Sequence, residues 1–272
     1  MINYQGTALI TGASSGIGAV FAHQLAARGM NLVLVARSQD KLNALASELT
    51  QRHRVQADVI CVDLSKADSA ETLFRETEAR NINITLLVNN AGFATCGSFQ
   101  TLALACEQEQ IMLNVYALVG LTRLYLPELL SHPGSAIINV ASTAAFQPLP
   151  YMAVYAASKA FVLSFSAALS AELKGTNVST LAFCPGPVKT GFLAVMGATE
   201  AIIGKQDTPE FVVHKALAAL DSGKYFVIPR FDQNLLAYLV RILPGQLVLS
   251  VSKKLLQPRK ILPQNTVESI KK

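Results

Sequence analysis

Charged residues are scarce in this chain. Lys, Arg, Asp and Glu make up 15% of the 272 residues, compared with about 25% in an average soluble domain. Hydrophobic residues reach 51%, and tryptophan is absent. So apolar a composition excludes a disordered, low-complexity or collagen-like chain. The length suffices for a sizeable core, so we expect a folded globular protein.

Cysteine and histidine are also rare, with four of each. The cysteines form no Cys-x-x-Cys pair, and no histidine stands at ligand spacing from them or from another histidine. This pattern excludes a disulfide scaffold and gives no reason to predict a metal site. We therefore expect reduced thiols that pack as small apolar side chains.

Long apolar runs are missing as well. No stretch reaches the roughly eighteen unbroken apolar residues that a membrane-spanning helix needs. Residues 1–5 are largely polar, and the apolar run at 7–10 ends too early for the core of a signal peptide. These observations predict a cytoplasmic location.

The net charge of +5 is unevenly distributed. The segment from Arg241 onward contains seven Lys or Arg residues and one acid, Glu268, so its net charge is +6. Subtracting it from the total leaves −1 for residues 1–240. A basic nucleic-acid-binding surface on the main body is therefore not expected.

Short apolar runs, many of them β-branched, alternate with stretches whose apolar residues recur every three or four positions. The runs predict strands at 7–10, 31–36, 55–62, 84–89, 135–141, 178–184 and 225–228. The stretches between them predict helices at 17–28, 41–52, 67–80, 106–131 and 151–174. This alternation is typical of an α/β fold with one doubly wound parallel sheet and helices on both faces.

Two regions depart from the alternation. Residues 185–208 contain early Gly and Pro and then mixed polarity, which predicts a loop that covers a substrate. Residues 235–257 carry leucines and valines at helical spacing, interrupted by Pro244. We therefore divide the chain into a main domain over 1–232, which includes the loop 185–208, and a hydrophobic, basic helical extension over 233–272.

A glycine-rich turn follows the first predicted strand and precedes the first helix. Glycine permits a tight turn, and a helix N-terminus attracts phosphate, so this position favours a dinucleotide. The residues expected to contact it are Gly12, Ser14, Ser15, Gly16, Ile17 and Gly18. The second strand ends in Arg37 where an acid would hold a ribose hydroxyl of NAD. Arginine suits a 2′-phosphate, so NADP(H) is predicted over NAD.

A second motif, Tyr155-Ala156-Ala157-Ser158-Lys159, places a phenol and an ammonium one helical turn apart. A nearby cation favours the phenolate, so this pair is suited to general acid–base work. Ser142 follows a strand at the carboxyl edge of the sheet, and Asn114 is a polar residue inside an apolar helix. We interpret these four residues as the candidate catalytic set.

Together these motifs resemble the short-chain dehydrogenase/reductase family, in its single-domain, NADP-preferring branch. The resemblance spans roughly residues 5–230 and rests on motifs that occur in the family's order: 11–18, Asp63, 89–92, Asn114, Ser142, Tyr155 with Lys159, and 185–186. It implies a Rossmann-like sheet of about seven strands in the order 3-2-1-4-5-6-7.

The resemblance also implies roles for individual residues. Tyr155 would donate the proton to a carbonyl, Ser142 would orient the carbonyl oxygen, and Lys159 would hold the nicotinamide ribose and lower the pKa of the tyrosine. Asn114 would keep a helix kink and a water relay. Asp63 and Leu64 would meet the adenine, while Asn89, Ala91 and Gly92 would line the adenosine ribose and brace the sheet. The carboxamide would be held after Pro185 and Gly186, by Val188 and Thr190.

The function expected from these residues is NADP(H)-dependent hydride transfer to or from a small-molecule carbonyl or alcohol that is apolar. Two alternatives stay open: a cofactor-binding redox sensor with little turnover, and an epimerase or dehydratase on the same scaffold. A homo-oligomer is expected, since family members often form one. The apolar, basic extension has three readings: a packing or subunit contact, peripheral binding to an anionic membrane surface, or a wall of the substrate entrance.

Overall fold

The computed structural model describes residues 2–192 and 205–257, in which seven parallel strands form one sheet. Their order is β3-β2-β1-β4-β5-β6-β7, which confirms the predicted doubly wound fold. The strands are β1 (Thr7–Thr11), β2 (Asn31–Ala36), β3 (Ala57–Cys61), β4 (Ile84–Asn89), β5 (Ser135–Val140), β6 (Val178–Phe183) and β7 (Phe226–Val227). β7 is shorter than the apolar run suggested.

Nine α-helices flank or follow the sheet in the described residues. They are α1 (Gly16–Ala26), α2 (Gln39–His53), α3 (Ser69–Ala79), α4 (Leu104–Ile111), α5 (Ala117–Ser131), α6 (Ala153–Glu172), α7 (Pro209–Asp221), α8 (Phe231–Ile242) and α9 (Gly245–Leu256). A π-helical turn (Met112–Tyr116) joins α4 to α5, and a 3₁₀ helix (Thr143–Phe146) precedes α6. Our predicted single helix over 106–131 is therefore interrupted at its centre.

The core lies on both faces of the sheet, as a doubly wound fold requires. On one face, α1, α2 and α7 pack against the strands through Phe21, Leu42 and Leu217. On the other face, α3, α5 and the C-terminal end of α6 pack through Leu73, Tyr125 and Leu169. Because both faces are covered, the central strands β1 and β5 are buried along their whole length.

Helix α7 was missed by the sequence analysis, although its start carries a clear signal. The Thr208 side chain accepts a hydrogen bond from the Phe211 N–H at 3.3 Å, and Pro209 occupies the first helical position. Both are typical of a helix N-terminus. The helix begins directly where we expected the loop to end.

Among the described helices, α6 is long and apolar enough, at 20 residues, to cross a membrane by length and composition. It nevertheless packs against β6 and the 3₁₀ helix as part of the core. Buried residues run along its whole length, from Tyr155 to Leu169.

The two helices of the C-terminal extension, α8 and α9, are separated at Pro244 as the spacing predicted. Of the expected loop 185–208, residues 193–204 lie outside the described part of the chain, as does the basic stretch after residue 257. The division of the chain at residue 232 stays a prediction.

Candidate active site

The glycine-rich turn links β1 to α1 in a conformation that requires glycine. Gly12 and Gly16 have φ values of 67° and 57°, in the left-handed region. A side chain on Gly18 would collide with the Gly12 carbonyl oxygen. The first turn of α1 contains no acid, and the Ser15 side chain makes no capping hydrogen bond. The positive end of the α1 dipole is therefore open to an anion.

The turn is held against the end of β4 by a hydrogen-bonded cluster. The Thr11 Oγ1 accepts from the backbone N–H of Asn90 at 2.9 Å and of Ala91 at 3.0 Å. In return, the Asn90 amide donates to the Thr11 carbonyl at 2.8 Å. The sequence analysis did not assign roles to Thr11 and Asn90, although both lie within its motifs.

Asn89 occupies a different position from Ala91 and Gly92. Its side chain is buried between strands, where the amide donates to Asn139 Oδ1 at 2.9 Å and to Thr122 Oγ1 at 3.0 Å. The Asn139 amide then donates to Ser166 Oγ on α6 at 3.0 Å. This network braces the sheet against two helices, as the resemblance implied, and the ribose contact implied for Asn89 stays a prediction.

Arg37 lies at the carboxyl end of β2 with 58% of its side chain exposed, and its Nη1 is 3.7 Å from Glu109 Oε1 on α4. Asp63 follows β3 and accepts hydrogen bonds from the Ser65 N–H and hydroxyl at 3.1 and 2.8 Å. Partial burial acts to raise the pKa of Asp63, but these bonds and the charge of Arg37 leave that pKa below its ordinary value. Leu64 beside it is buried.

Ser142 and Tyr155 face each other at the end of β5. The Ser142 hydroxyl accepts from the Ala144 N–H at 3.1 Å, which fixes it at the start of the 3₁₀ helix. Burial raises the pKa of Tyr155, and a hydrogen bond with the Ser142 side chain acts in the opposite direction. The phenol is therefore protonated at neutral pH.

Lys159 is buried on the same side of α6 as Tyr155. Its Nζ donates to the Val140 carbonyl at 2.7 Å and lies 5.9 Å from the centre of the Tyr155 ring. Burial lowers the pKa of Lys159 to about 8. A side chain on Gly92 would come within 3.5 Å of this Nζ. The ammonium thus lies at the glycine-lined edge of the sheet.

Asn114 lies in the π-helical turn and is fully buried. Its Oδ1 accepts from the Phe93 N–H at 3.1 Å, and its Nδ2 donates to the Phe93 carbonyl at 3.0 Å and to Ser158 Oγ at 3.1 Å. A side chain on Gly92 would approach the same Oδ1 to 2.8 Å. Asn114 therefore fixes the segment after β4 against α6, while the water relay stays a prediction.

The segment after β6 crosses the open end of the glycine turn. The Pro185 carbonyl accepts from the Thr143 N–H at 2.9 Å, and a side chain on Gly16 would meet Thr190 Cγ2 at 3.1 Å. Val188 pairs with Asp207 in an isolated β-bridge, and Gly186 lies directly against the Gln233 side chain of α8. No motif in the sequence predicts this contact of Gln233.

An apolar cluster surrounds the Tyr155 ring. Its other members are Ala94, Ala144 and Met152, with Cys96, Leu149 and Phe192 packed against them. Phe146 lies outside this cluster: it packs behind the 3₁₀ helix and lines a separate cavity of about 390 Å³ with Tyr238 and Arg241. Phe146 turns away because it stands at the other end of the 3₁₀ helix from Ser142.

Comparisons with known proteins agree with this geometry. Residues 6–201 match the family model described as short chain dehydrogenase. The chain is 31% identical to very-long-chain 3-oxoacyl-CoA reductase of Bos taurus over 84% of its length and 79% of the relative. It is 38% identical to sulfoacetaldehyde reductase 2 of Chromohalobacter salexigens over 69% and 74% of the two chains. The structure of a short-chain dehydrogenase from Sphingobium yanoikuyae in complex with NADPH superposes with a TM-score of 0.77 at 30% identity. The superposition covers 89% of this chain and 97% of the Sphingobium chain.

Proposed function

Because the chain belongs to the short-chain dehydrogenase/reductase family, we propose that it is an NADP(H)-dependent oxidoreductase acting on a carbonyl or secondary alcohol. The observation that carries this proposal is the placement of Tyr155, Ser142 and Lys159. All three are buried, and Lys159 also lies against Gly92 at the edge of the glycine turn. A proton donor would therefore share one crevice with the proposed dinucleotide site.

The residues of the crevice fit a dinucleotide. The open N-terminus of α1 suits a pyrophosphate, and the two left-handed glycines allow the backbone to approach it closely. The exposed guanidinium of Arg37 suits a 2′-phosphate, which favours NADP(H) over NAD. The NADPH complex of the Sphingobium relative supports the same choice.

The candidate catalytic residues are suited to carbonyl reduction. When bound, the nicotinamide supplies a hydride for the carbonyl carbon. Tyr155, protonated at neutral pH, donates its proton to the carbonyl oxygen, and the Ser142 hydroxyl orients that oxygen by a hydrogen bond. Lys159 in its ammonium form holds the ribose and stabilises the phenolate that Tyr155 becomes. Asn114 positions Ser158 and the segment after β4 around this group.

The substrate proposed here is apolar around its carbonyl. The cluster around Tyr155 consists of Ala, Met, Leu, Phe and Cys side chains, which offer no charge to a polar substrate. The two relatives named above act on an acyl-CoA and on sulfoacetaldehyde, so their names do not agree on one substrate class. The apolar cluster is therefore the basis of this choice.

The test is a panel of ketones and secondary alcohols of increasing size, followed by absorbance of the reduced nicotinamide with each of the two cofactors. We expect turnover of apolar ketones with NADPH and less with NADH. Tight NADPH binding without turnover of any carbonyl would indicate the redox sensor, and isomerised or dehydrated product without net cofactor consumption would indicate the other enzyme class. The cytoplasmic location and the homo-oligomer stay predictions.

A further inference from the structure

The two C-terminal helices leave most of their large apolar side chains exposed. In α8 only Ala237 is buried, while Phe231 and Ile242 are 82% and 78% exposed. In α9 the buried residues are Val248, Ser252 and Leu256. The exposed apolar residues of the segment are Phe231, Leu235, Leu236, Tyr238, Leu239, Ile242, Leu243, Leu247, Leu249, Val251 and Leu255.

Most of these side chains fall into one stripe per helix. Phe231, Leu235, Tyr238 and Ile242 recur at intervals of three or four residues, so they share one face of α8. Leu247, Val251 and Leu255 recur every four residues and share one face of α9, next to the buried positions. We call these seven residues the apolar stripe.

Positive charge is concentrated in the same segment. Lys253 and Lys254 lie in the last turn of α9, whose sequence contains no acid. Residues 1–240 carry a net charge of −1, so the excess positive charge of the whole protein belongs to the segment from Arg241 onward. The Arg241 guanidinium of α8 lies over the Phe146 ring, 5.2 Å from its centre, whereas Lys253 and Lys254 of α9 are both exposed.

We propose that α8 and α9 form a binding surface for an anionic lipid membrane. Amphipathic helices that combine exposed large apolar side chains with lysines lie in the plane of an interface, with the apolar face among the lipids and the cations at the headgroups. A second copy of this chain is the weaker occupant, because docking through the same face would bring the exposed Lys253 and Lys254 of two α9 helices close together. An anionic surface removes that repulsion and covers the stripe.

The proposed surface begins next to the candidate active site. Arg230, the residue before α8, has its Nη1 3.4 Å from Asp207 Oδ1, and Gln233 in the first turn lies against Gly186. Both contacts hold the segment that follows β6. A membrane bound through α8 would therefore lie close to Gly186, one of the residues proposed to hold the carboxamide of the cofactor. Membrane binding itself does not depend on the proposed reaction.

The test is co-sedimentation of the full chain with vesicles of phosphatidylcholine alone and of phosphatidylcholine with about 30% phosphatidylserine. We expect binding to the anionic vesicles that decreases as salt is added. Reversal of two charges in Lys253→Glu/Lys254→Glu should weaken this binding by more than about tenfold. The matched control is Lys41→Glu/Arg52→Glu on α2, where both residues are exposed and binding should not change.

The apolar contribution is tested by Leu235→Asp/Ile242→Asp, with Leu104→Asp on α4 as a control at another exposed leucine. The first variant should lose about tenfold or more in binding, and the control should keep it. Circular dichroism and NADPH binding show whether each variant is folded. The proposal is overturned if the wild-type chain ignores anionic vesicles. It is equally overturned if Leu235→Asp/Ile242→Asp alters the oligomeric state of the protein but not its binding to vesicles, because that result assigns the stripe to a contact with a second copy.

Discussion

Helix α6 and the pair α8–α9 are both rich in apolar residues, but they use them in opposite ways. In α6 the polar residues Tyr155, Ser158, Lys159 and Ser166 are buried; Tyr155 is hydrogen-bonded with Ser142, and the other three are held by hydrogen bonds of 2.7 to 3.1 Å. In α8 and α9 large apolar side chains are exposed instead. Hydropathy alone does not separate these cases.

The difference indicates where each helix acts. Burying a polar group is costly unless it is hydrogen-bonded, so a buried and partnered lysine or asparagine marks a position that the fold maintains for a reason. Exposing a large apolar side chain is also unfavourable. A contiguous stripe of such side chains indicates a surface that another molecule or a membrane covers. The buried polar residues of α6 therefore indicate a reactive site, and the exposed apolar residues of α8 and α9 indicate an interface.

Removing the buried phenol of α6 should have the largest effect. Tyr155→Phe leaves the ring in its apolar cluster but deletes the proton donor, so we expect kcat to fall by about 1,000-fold. NADPH affinity, measured by fluorescence, should stay within about twofold of wild type.

Tyr125→Phe is the matched control for this change. The Tyr125 hydroxyl is buried in α5 and lies 2.8 Å from Thr77 Oγ1, on the side of the sheet packed by α3. Its loss should lower the free energy of unfolding by about 1 kcal/mol and leave kcat unchanged. Equal activity of the Tyr155 variant and wild type would remove the tyrosine from the mechanism.

Removing the charge of Arg37 at the edge of the crevice should have the next largest effect, on NADPH affinity. Arg37→Ala removes the guanidinium proposed to bind the 2′-phosphate, and we expect NADPH affinity to fall by about 10- to 100-fold. NADH, which lacks that phosphate, should bind nearly as before. Titration of both cofactors against the variant and against Arg52→Ala, an exposed arginine of α2, checks this prediction. Equal losses for both cofactors would contradict the role of Arg37.

The buried ammonium gives a pH dependence. Because burial lowers the pKa of Lys159 to about 8, its positive charge is present below that pH and is lost above it. An anionic cofactor prefers the charged form, so NADPH affinity should fall by about tenfold between about pH 7 and pH 9. The decrease should be absent in Lys159→Met and retained in Lys41→Met. A flat profile in the wild-type chain would show that this ammonium does not contribute to binding.

The smallest expected effect concerns the partner of Arg37. The Glu109 carboxylate is 3.7 Å from the Arg37 guanidinium and adds a negative charge where a phosphate is proposed to bind. Glu109→Gln should therefore raise NADPH affinity by about threefold, with a smaller change for NADH. Glu76→Gln, which alters an exposed ion pair with Arg80 on α3, should change neither. Weaker NADPH binding in Glu109→Gln would mean that the carboxylate supports the site.

Much of the fold was predictable because the central strands are buried runs with many β-branched residues and each motif has a fixed place between elements. The strand order follows from the family resemblance, and the described structure confirms it. The π-helical turn at Asn114 was less accessible, since its cause is a set of contacts with Phe93 and Ser158, which are 21 and 44 residues away along the chain. The local spacing of apolar residues does not predict contacts between residues so far apart in the sequence.

Side-chain direction was the hardest feature to predict at the site. Phe146 and Ser142 are four residues apart, yet Ser142 faces Tyr155 at the start of the 3₁₀ helix, whereas Phe146 packs against Val162 and Ile228 in another cluster. The contact between Gln233 and Gly186 joins segments 47 residues apart in sequence, and glutamine has no motif that predicts it. Both features depend on how the chain packs after the sheet has formed.

The most direct test of the central claim follows a deuterium atom. NADPH that carries deuterium at the transferable position of the nicotinamide is incubated with the enzyme and an apolar ketone that it turns over. The deuterium content of the alcohol product is then measured by mass spectrometry. We predict one deuterium at the carbinol carbon per NADPH consumed, with about 1,000-fold slower labelling in Tyr155→Phe. Consumption of NADPH with an unlabelled alcohol, or labelling at the wild-type rate in the variant, would contradict it.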